Sequence, residues 1–344
     1  MRLAPLALAF ALTACASAPP PTPAPVLRPQ VSGTDALLIA ADAVDESVVW
    51  VAGTGGTVVR TTDGGETWTA MTVPGADSLQ FRDVHAWSAT EAIVLSIGNG
   101  TDSRTYRTDD GGETWEQTWV NQTPDAFYDC LDFWDASNGL AFSDAVDGVF
   151  PFLRTSDGGR TWTPIPAENL PPAQDGEGSF ASSGTCLVTT GEATAWQATG
   201  NAETPRLLTT TDRGATWQTT DLPLAGGEAA GGASVALGPD GLAVVVGGDI
   251  AAPNEFAPAV AVSEDGGATW EAGGALPFTG ALYGAAFVPG TRTVIGVGPG
   301  GVALSRDAGR TWSTLSTETH WGLSAAGSTL WLVGPEGRVT RVDL

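Results

Sequence analysis

The octapeptide TTDGGETW at residues 61–68 is the most informative stretch of the chain, because closely similar octets return five more times. The later copies are TDDGGETW (108–115), TSDGGRTW (155–162), TTDRGATW (210–217), SEDGGATW (263–270) and SRDAGRTW (305–312). All six follow the pattern Ser/Thr-x-Asp-x-Gly-x-Thr-Trp. Their aspartates are Asp63, Asp110, Asp157, Asp212, Asp265 and Asp307. A period of this length with several short strands per unit is typical of propellers and related arrays.

The segments between octets predict four strands per unit and an all-β domain. In the first unit, short β-branched or aromatic runs are divided by Gly, Asp and Pro turns, and the octet falls between the third and fourth strands. After the sixth octet only three more strands follow, and GRVTR (337–341) aligns with GTVVR (56–60). We therefore predict a seven-bladed β-propeller of four-stranded antiparallel blades. The spare segment VLRPQVS (26–32) supplies the outer strand of the last blade and closes the ring.

The octets resemble the Asp-box, or BNR, repeat of the sialidase superfamily. The likeness is strongest to the photosystem II stability/assembly factor propellers and their bacterial relatives, some of which carry an oxidoreductase label. Residues 127–162 and 176–186 also resemble segments of those relatives. The resemblance covers about residue 31 to the end and implies a propeller fold. It implies function less directly, because one fold hosts unrelated activities.

Six copies of the octet favour a structural role. An Asp in a tight turn accepts hydrogen bonds from nearby backbone N–H groups, and Gly supplies the positive φ of such a turn. A calcium loop is the competing interpretation, but each octet carries one well-placed acid where such a loop needs several. The run GVGPGG (296–301) fits a dinucleotide-binding pattern but leads into a strand rather than a helix, so nicotinamide chemistry is unsupported. We predict no metal and no cofactor.

The N-terminus predicts export. Residues 1–15 combine Arg2, a short apolar stretch and LTAC ending at Cys15, which resembles a bacterial lipobox with Cys15 as the lipidated residue; an ordinary signal peptide is the alternative. Residues 16–30 are rich in Pro and Ala and predict an extended tether, and residues 31–344 form the propeller. We expect a lipid-anchored protein at the periplasmic side of the bacterial envelope or at the outer membrane.

The charge limits the partners. The formal net charge is -24, with 39 acids against 15 basic residues that are all Arg. Such a surface repels polyphosphate, so we expect no nucleic-acid binding. Solubility is the simpler explanation of this charge, and attraction of cations or basic partners is the more specific alternative.

Unequal loops predict the functional face. The connection between strands two and three is minimal in units one, six and seven but long in units two to five, and loops of unequal length on an equal scaffold often carry function. The candidate binding residues lie in these loops or on inner strands that could line the central channel: Arg82, His85, Tyr128, Asp129, Asp144, Asp147, Arg206, Asp249 and Asn254. A water-filled channel without a ligand is the alternative.

Cys130 and Cys186 fall at equivalent points of adjacent inner strands, aligned with Asp83. In an exported protein such a pair predicts a disulfide, with two buried free thiols as the alternative.

Two functions remain open at the level of sequence. The first is a membrane-tethered, monomeric binding or assembly propeller that recognises a protein or another envelope component. The second is a glycoside hydrolase of sialidase-like or other Asp-box type that uses paired carboxylates, with Asp129 and either Asp144 or Asp249 as the pair.

Overall fold

The computed structural model describes residues 24–344. The predicted signal segment, Cys15 and residues 16–23 of the predicted tether lie outside the described residues. No helix among residues 24–344 is long and apolar enough to cross a membrane.

The chain forms seven four-stranded antiparallel blades, as the sequence predicts. Blade 1 contains β2 (Leu38–Ala43), β3 (Val49–Gly53), β4 (Thr57–Thr61) and β5 (Thr69–Thr72). Blade 2 contains β6 (Phe81–Ala86), β7 (Ala92–Ser96), β8 (Arg104–Thr108) and β9 (Glu116–Val120). Blade 3 contains β10 (Tyr128–Phe133), β11 (Gly139–Ser143), β12 (Leu153–Thr155) and β13 (Thr163–Pro164).

Blade 4 contains β14 (Leu187–Thr190), β15 (Thr194–Ala198), β16 (Arg206–Thr210) and β17 (Gln218–Asp221). Blade 5 contains β18 (Ala230–Leu237), β19 (Ala243–Asp249), β20 (Val260–Ser263) and β21 (Glu271–Ala272). Blade 6 contains β22 (Gly284–Phe287), β23 (Val294–Gly298), β24 (Gly301–Ser305) and β25 (Ser313–Ser316). Three short 3₁₀ turns occupy Gly100–Asp102, Ala167–Asn169 and Pro239–Gly241.

Blade 7 closes the ring with both ends of the chain. It contains β26 (Gly322–Ala326), β27 (Thr329–Val333), β28 (Arg338–Asp343) and, on its outer edge, β1 (Val26–Val31). The last two pair antiparallel from Val26 opposite Asp343 to Val31 opposite Arg338. Residues 26–30 fall within both the predicted tether and the predicted closing segment, and in the structure they pair with the edge of β28 as part of the sheet.

The six octets make one repeated hydrogen-bond pattern. In the first, Asp63 Oδ1 accepts the Thr67 N–H at 2.9 Å and Asp63 Oδ2 accepts the Thr67 hydroxyl at 2.6 Å. The Thr61 hydroxyl donates to Asp63 at 2.8 Å and accepts the Gly65 N–H at 2.9 Å. These bonds lower the pKa of Asp63 to about 2. The carboxylate oxygens of the octet aspartate thus accept hydrogen bonds from within their own turn.

Each octet Trp packs into the apolar cluster between its blade and the preceding one. Trp115 joins the cluster of blades 1 and 2, and Trp162 joins that of blades 2 and 3. The interface of blades 6 and 7 contains no octet Trp, because blade 7 has no octet; Leu27 and Leu344 pack there instead. The octet therefore fixes both a turn and a blade interface.

Polar side chains on the inner strands link one blade to the next. Asp42 accepts the Ala86 N–H at 2.7 Å, Asp83 accepts the Leu131 N–H at 2.7 Å, and Asp132 accepts the Thr189 N–H at 2.6 Å. The hydroxyls of Ser234 and Ser324 accept the corresponding N–H groups of Ala285 and Ala43, both at 3.0 Å. Inner strands of neighbouring blades are not paired as a sheet, so these contacts satisfy backbone donors near the axis.

Cys130 and Cys186 form a disulfide, with their Cα atoms 6.1 Å apart. It joins β10 to the residue before β14 and therefore links blades 3 and 4 beside the channel. Of the two alternatives that the sequence leaves open, the structure contains the bonded pair.

Reduction of this disulfide is expected to destabilise the fold by about 4 kcal/mol, the loop-closure value for cysteines 56 residues apart. Urea unfolding of the full chain with and without reductant measures this difference. A Cys130→Ser, Cys186→Ser double variant serves as the control, because reductant should not change its stability. Alkylation of both thiols in the unreduced wild type would contradict the assignment.

Candidate functional site

The topology gives the propeller two different faces. Because strands alternate in direction within a blade, the turns between strands one and two lie with the octets on one face, here called the lower face. The loops between strands two and three and the links between blades lie on the opposite, upper face. The long loops of blades 2 to 5 are all on the upper face.

Residues 179–184, here called the plug, cross the channel and divide it into two cavities. The Ala181 carbonyl accepts a hydrogen bond from Arg82 of blade 2 at 3.0 Å, and the Ser182 hydroxyl donates to the Tyr283 carbonyl of blade 6 at 3.0 Å. Gly184 has φ +78°, and a Cβ there would lie 2.6 Å from Asp83 Oδ1. The plug thus depends on a glycine, and it interrupts the channel between an upper and a lower cavity.

The upper cavity has a volume of about 410 Å³. Its polar wall includes Arg82, Asp129 and Asp144, and its apolar wall includes Tyr283 and Trp321. Three of the predicted binding residues therefore meet in one place.

Backbone bulges direct two of these side chains. The register of β6 with β7 shifts between Phe81 and Asp83, and that of β10 with β11 shifts between Tyr128 and Cys130. Arg82 and Asp129 are thus the extra residues of equivalent bulges, and they immediately precede Asp83 and Cys130, which the sequence places at equivalent points. Such bulges re-aim a side chain out of the regular alternation of the strand.

Arg82 is held by several contacts. Its two terminal nitrogens donate to Ala181 O at 3.0 Å and to Gln80 Oε1 at 2.9 Å, and its guanidinium carbon lies 5.2 Å from the centre of the Trp321 ring. Its Nε atom is buried and has no hydrogen-bond partner among residues 24–344. The orientation of the Arg82 side chain is therefore fixed.

Asp129 and Asp144 form a proton-sharing pair. Asp129 is 1% exposed, and burial together with the neighbouring Asp144 charge raises its pKa well above the usual range. Burial also raises the pKa of Asp144, to about 6, against the Ser179 N–H that donates to Asp144 Oδ1 at 2.7 Å. The interaction between the two side chains raises the pKa of Asp129 and lowers that of Asp144, which favours one proton held by the pair on the Asp129 side; the Asp144 backbone N–H and the Arg82 charge oppose this by lowering the pKa of Asp129.

The close contact between Asp129 and Asp144 differs from the spacing of the catalytic carboxyl groups in a two-carboxylate glycosidase. Catalytic carboxyls of such enzymes stand about 5–9.5 Å apart, with the sugar or a water between them. Asp129 and Asp144 instead contact each other, and the other predicted partner, Asp249, is not among the residues that line the cavity.

Asp129→Asn is expected to change the pH dependence of stability. A carboxyl whose pKa is raised on folding contributes stability below its unfolded pKa, near 4, and loses it as pH rises through the folded value. The introduced amide would donate an N–H to Asp144 without titrating. The variant should therefore gain at least about 1 kcal/mol relative to wild type between pH 5 and pH 8, measured by urea unfolding. An unchanged difference across this range would contradict the shared proton.

His85 lies in the lower cavity, of about 460 Å³, on the other side of the plug. It is three residues beyond Arg82 on one strand, so the rise of about 3.3 Å per residue carries its side chain to the other half of the channel. Its Nδ1 atom is 3.1 Å from Asp132 Oδ1 and 3.9 Å from Asp42 Oδ2. The grouping of His85 with Arg82 that the sequence suggests is thus not found in the structure.

The pKa of His85 is raised. Burial lowers it, but the hydrogen bond to Asp132 and the charge of Asp42 outweigh burial. The imidazolium therefore joins blade 2 to carboxylates of blades 1 and 3. The other histidine, His320, has its pKa lowered by burial to about 4.

His85→Gln is expected to remove a stabilising charge that exists at low pH. The contribution of a group with a raised pKa is complete below its unfolded pKa of about 6.5 and disappears as pH rises through the folded value. The thermal midpoint of the variant should fall below that of wild type at pH 6 and approach it at pH 9. The matched variant His320→Gln should show no such convergence in this range. Titration of His85 below pH 6.5 in NMR spectra would contradict the assignment.

The remaining predicted residues lie outside the upper cavity. Tyr128 is buried against the Trp119 ring, and burial raises the pKa of its hydroxyl. Arg206 forms an ion pair with Glu177, whose side chain is fully buried, and its Nε donates to Glu177 Oε1 at 2.9 Å. Asp147, Asp249 and Asn254 lie on the upper rim, with Asp147 and Asn254 exposed and Asp249 half-buried.

Among the cavity residues that the sequence does not predict are two aromatic residues on the far side of the channel. Tyr283 and Trp321 belong to blades 6 and 7, which carry short loops and were left out of the predicted sector. A pattern was present, since each directly precedes a glycine that begins an inner strand, Gly284 or Gly322. A Cβ on Gly322 would lie 2.0 Å from Ile39 O, so glycine allows the close approach that brings these rings to the axis.

Together, the octets and the fold define a seven-bladed Asp-box β-propeller. The BNR/Asp-box repeat family matches residues 106–117, which include the whole second octet at 108–115. No curated protein matches the sequence.

Solved structures share the fold. YCF48 bound to a D1 peptide is 15% identical over 94% of this chain and 96% of its own, with a TM-score of 0.61. YCF48 from Cyanidioschyzon merolae is 15% identical over 92% and 98%, with a TM-score of 0.62. A GH74 xyloglucanase from Xanthomonas campestris is 13% identical over 91% of this chain and 53% of its own, with a TM-score of 0.59. At these identities the similarity establishes the common fold.

Proposed function

We propose that this chain is a binding or assembly propeller, tethered to the bacterial envelope through a lipid on Cys15, that acts as a monomer and binds a partner protein with the upper face of blades 2 to 5. The observation that carries the proposal is the upper cavity, where the buried Asp129, the half-buried Asp144 and two aromatic rings lie on the face that carries the long, unequal loops of blades 2 to 5. Rigid scaffolds with decorated loops commonly bind through those loops.

The exposed apolar side chains support this face. Among residues 24–344 the exposed large hydrophobics are Ile250, Phe256, Val26 and Val31. Ile250 is 43% and Phe256 69% exposed, and both lie on the long blade 5 loop, where Ile250 also lines the upper cavity. Aromatic and aliphatic anchors of this kind contribute most of the energy of many protein interfaces. The shared fold with YCF48, which was solved with a D1 peptide, agrees with a protein partner.

The test is affinity capture of partners from solubilised envelope membranes of the native host, using the full chain. An Ile250→Ser, Phe256→Ser variant should reduce the captured partner at least tenfold, because both anchors would be lost. The matched control is Val26→Ser, Val31→Ser, which removes the two exposed hydrophobics of β1 and should retain the partner.

Equal capture by both double variants would reject the upper face as the binding surface. The tether has a separate readout: Cys15→Ser should move the chain from the membrane fraction to the soluble fraction, and an unchanged distribution would reject the lipid anchor.

A further inference from the structure

The two faces of the propeller differ in how their acids are neutralised. On the lower face, Arg107 lies 3.1 Å from Glu91, Arg213 lies 3.2 Å from Asp135, and Arg310 lies 2.7 Å from Glu271. Arg160 and Arg292 likewise pair with Asp109 and Glu264. Many of the arginine residues of the chain therefore form ion pairs on the face that carries the octets.

The upper rim of blades 3 to 5 lacks such neutralisation. Six acids project from its loops and links: Asp147, Asp175, Glu203, Glu228, Asp249 and Glu255. Within residues 24–344, none of the six takes part in an ion pair. The nearby Arg206 is bound to Glu177, and the chain contains no lysine. These six acids of the rim are thus uncompensated by ion pairs among the described residues, and Asp175, Glu203 and Glu228 line one shared depression.

A second observation lies at the bottom of the same region. Asp129 faces the upper cavity, and its Oδ2 atom accepts no hydrogen bond from any N–H or hydroxyl among the described residues. The polar neighbour of its carboxyl group is Asp144, with which it shares a proton. Two carboxyl groups this close together do not both ionise unless a positive charge compensates them, and in the free protein the shared proton provides that charge.

The positive charge of Arg82 lowers the pKa of Asp129 and so compensates the pair in part, but its terminal N–H groups are bonded elsewhere. Arg82 donates its terminal N–H groups to Ala181 and Gln80 and lies over Trp321. The acids in and beside the cavity, Asp129, Asp144 and Glu228, outnumber it. The Tyr283 ring also faces the cavity, and an aromatic face attracts a cation.

We propose that the partner segment recognised by the upper face is a lysine- or arginine-rich stretch of protein that places one basic side chain in the upper cavity, beside Asp129 and Asp144. This inference rests on the proposed function, because it names the chemistry of that partner. The remaining basic residues of the segment face Glu203, Glu228 and Glu255, and its apolar residues contact Ile250 and Phe256. An anionic lipid surface would be repelled by the same acids.

Binding of the basic side chain in the upper cavity is coupled to the release of a proton. When an ammonium or guanidinium group enters beside Asp129, its charge replaces the shared proton, which leaves the Asp129–Asp144 pair for solvent. The complex therefore holds one proton fewer than the free protein over the range in which the pair is protonated, and its affinity increases as pH rises from 5 to 8.

The experiment is calorimetric titration of the full chain, in detergent, with a hexalysine peptide at 150 mM salt, where long-range attraction is screened beyond about 8 Å. One variant carries Glu203→Gln, Glu228→Gln and Glu255→Gln on the upper face. Its control carries Glu66→Gln, Glu113→Gln and Glu192→Gln, three exposed lower-face acids, so that both proteins change net charge equally. Because all six side chains are exposed, neither variant should alter the fold.

We expect the upper-face variant to bind hexalysine at least tenfold more weakly than wild type, and the control less than twofold more weakly. Asp129→Asn should weaken binding about tenfold and remove the proton release, measured as the dependence of binding heat on the buffer. Hexaglutamate should not bind. Equal losses in the two triple variants, binding of hexaglutamate, or no binding of hexalysine to wild type would overturn the inference.

These results separate the two proposals. If membrane capture depends on Ile250 and Phe256 while hexalysine fails to bind, the binding function stands and the basic character of the partner is wrong. If hexalysine binds as expected but the capture is unaffected by the upper-face anchors, the cavity recognises cations and the proposed partner surface is wrong.

Discussion

The pairing of β1 with β28 keeps the ring closed, and the channel, the plug and the cavities all require a closed ring. Without this pairing, β28 would present an open edge, and blades 7 and 1 would be joined by side-chain contacts such as Arg341 to the Gly64 carbonyl and by their shared apolar cluster, with no outer strand from the N-terminal segment. Side chains strengthen the closure, since Arg28 donates to Asp343 at 2.6 Å and Gln30 accepts the Trp68 indole N–H at 3.0 Å. The second contact reaches from the closing strand to the octet of blade 1, so it also ties the two ends of the ring together.

Closure forces seven inner strands toward one axis, and this crowding explains most of the polar residues found there. Asp42, Asp83 and Asp132 accept N–H groups of the next blade, so their position on an inner strand reflects architecture before it reflects ligand binding. Asp129 is different, because its neighbour is another carboxyl group and its Oδ2 receives no donor among residues 24–344. A polar inner-strand residue is thus a candidate for function only after the contacts between blades have been assigned.

The sequence predicted the ring better than the site, and the reason is geometric. The octets repeat in register with the blades, so their spacing, the three leftover strands and the spare segment at 26–32 were sufficient for seven blades and their closure. The same alignment placed Arg82 and Asp129 at equivalent points. It did not show that Tyr283 and Trp321 face them, because that contact crosses the axis between blades far apart in sequence.

The repeat pattern also could not predict the positions of Glu177 and the plug, because both belong to the irregular link between blades 3 and 4. That link determines the shape of the upper cavity, because Phe180, Ala181 and Ser182 form its floor and wall. The disulfide fixes the far end of the link at Cys186 and joins it to Cys130, the residue next to Asp129. The cavity is therefore built where regular blades meet the one segment that is covalently fastened to them. The octets occupy the lower face with turns and paired charges, whereas the long loops and the unpaired acids of blades 3 to 5 lie on the upper face.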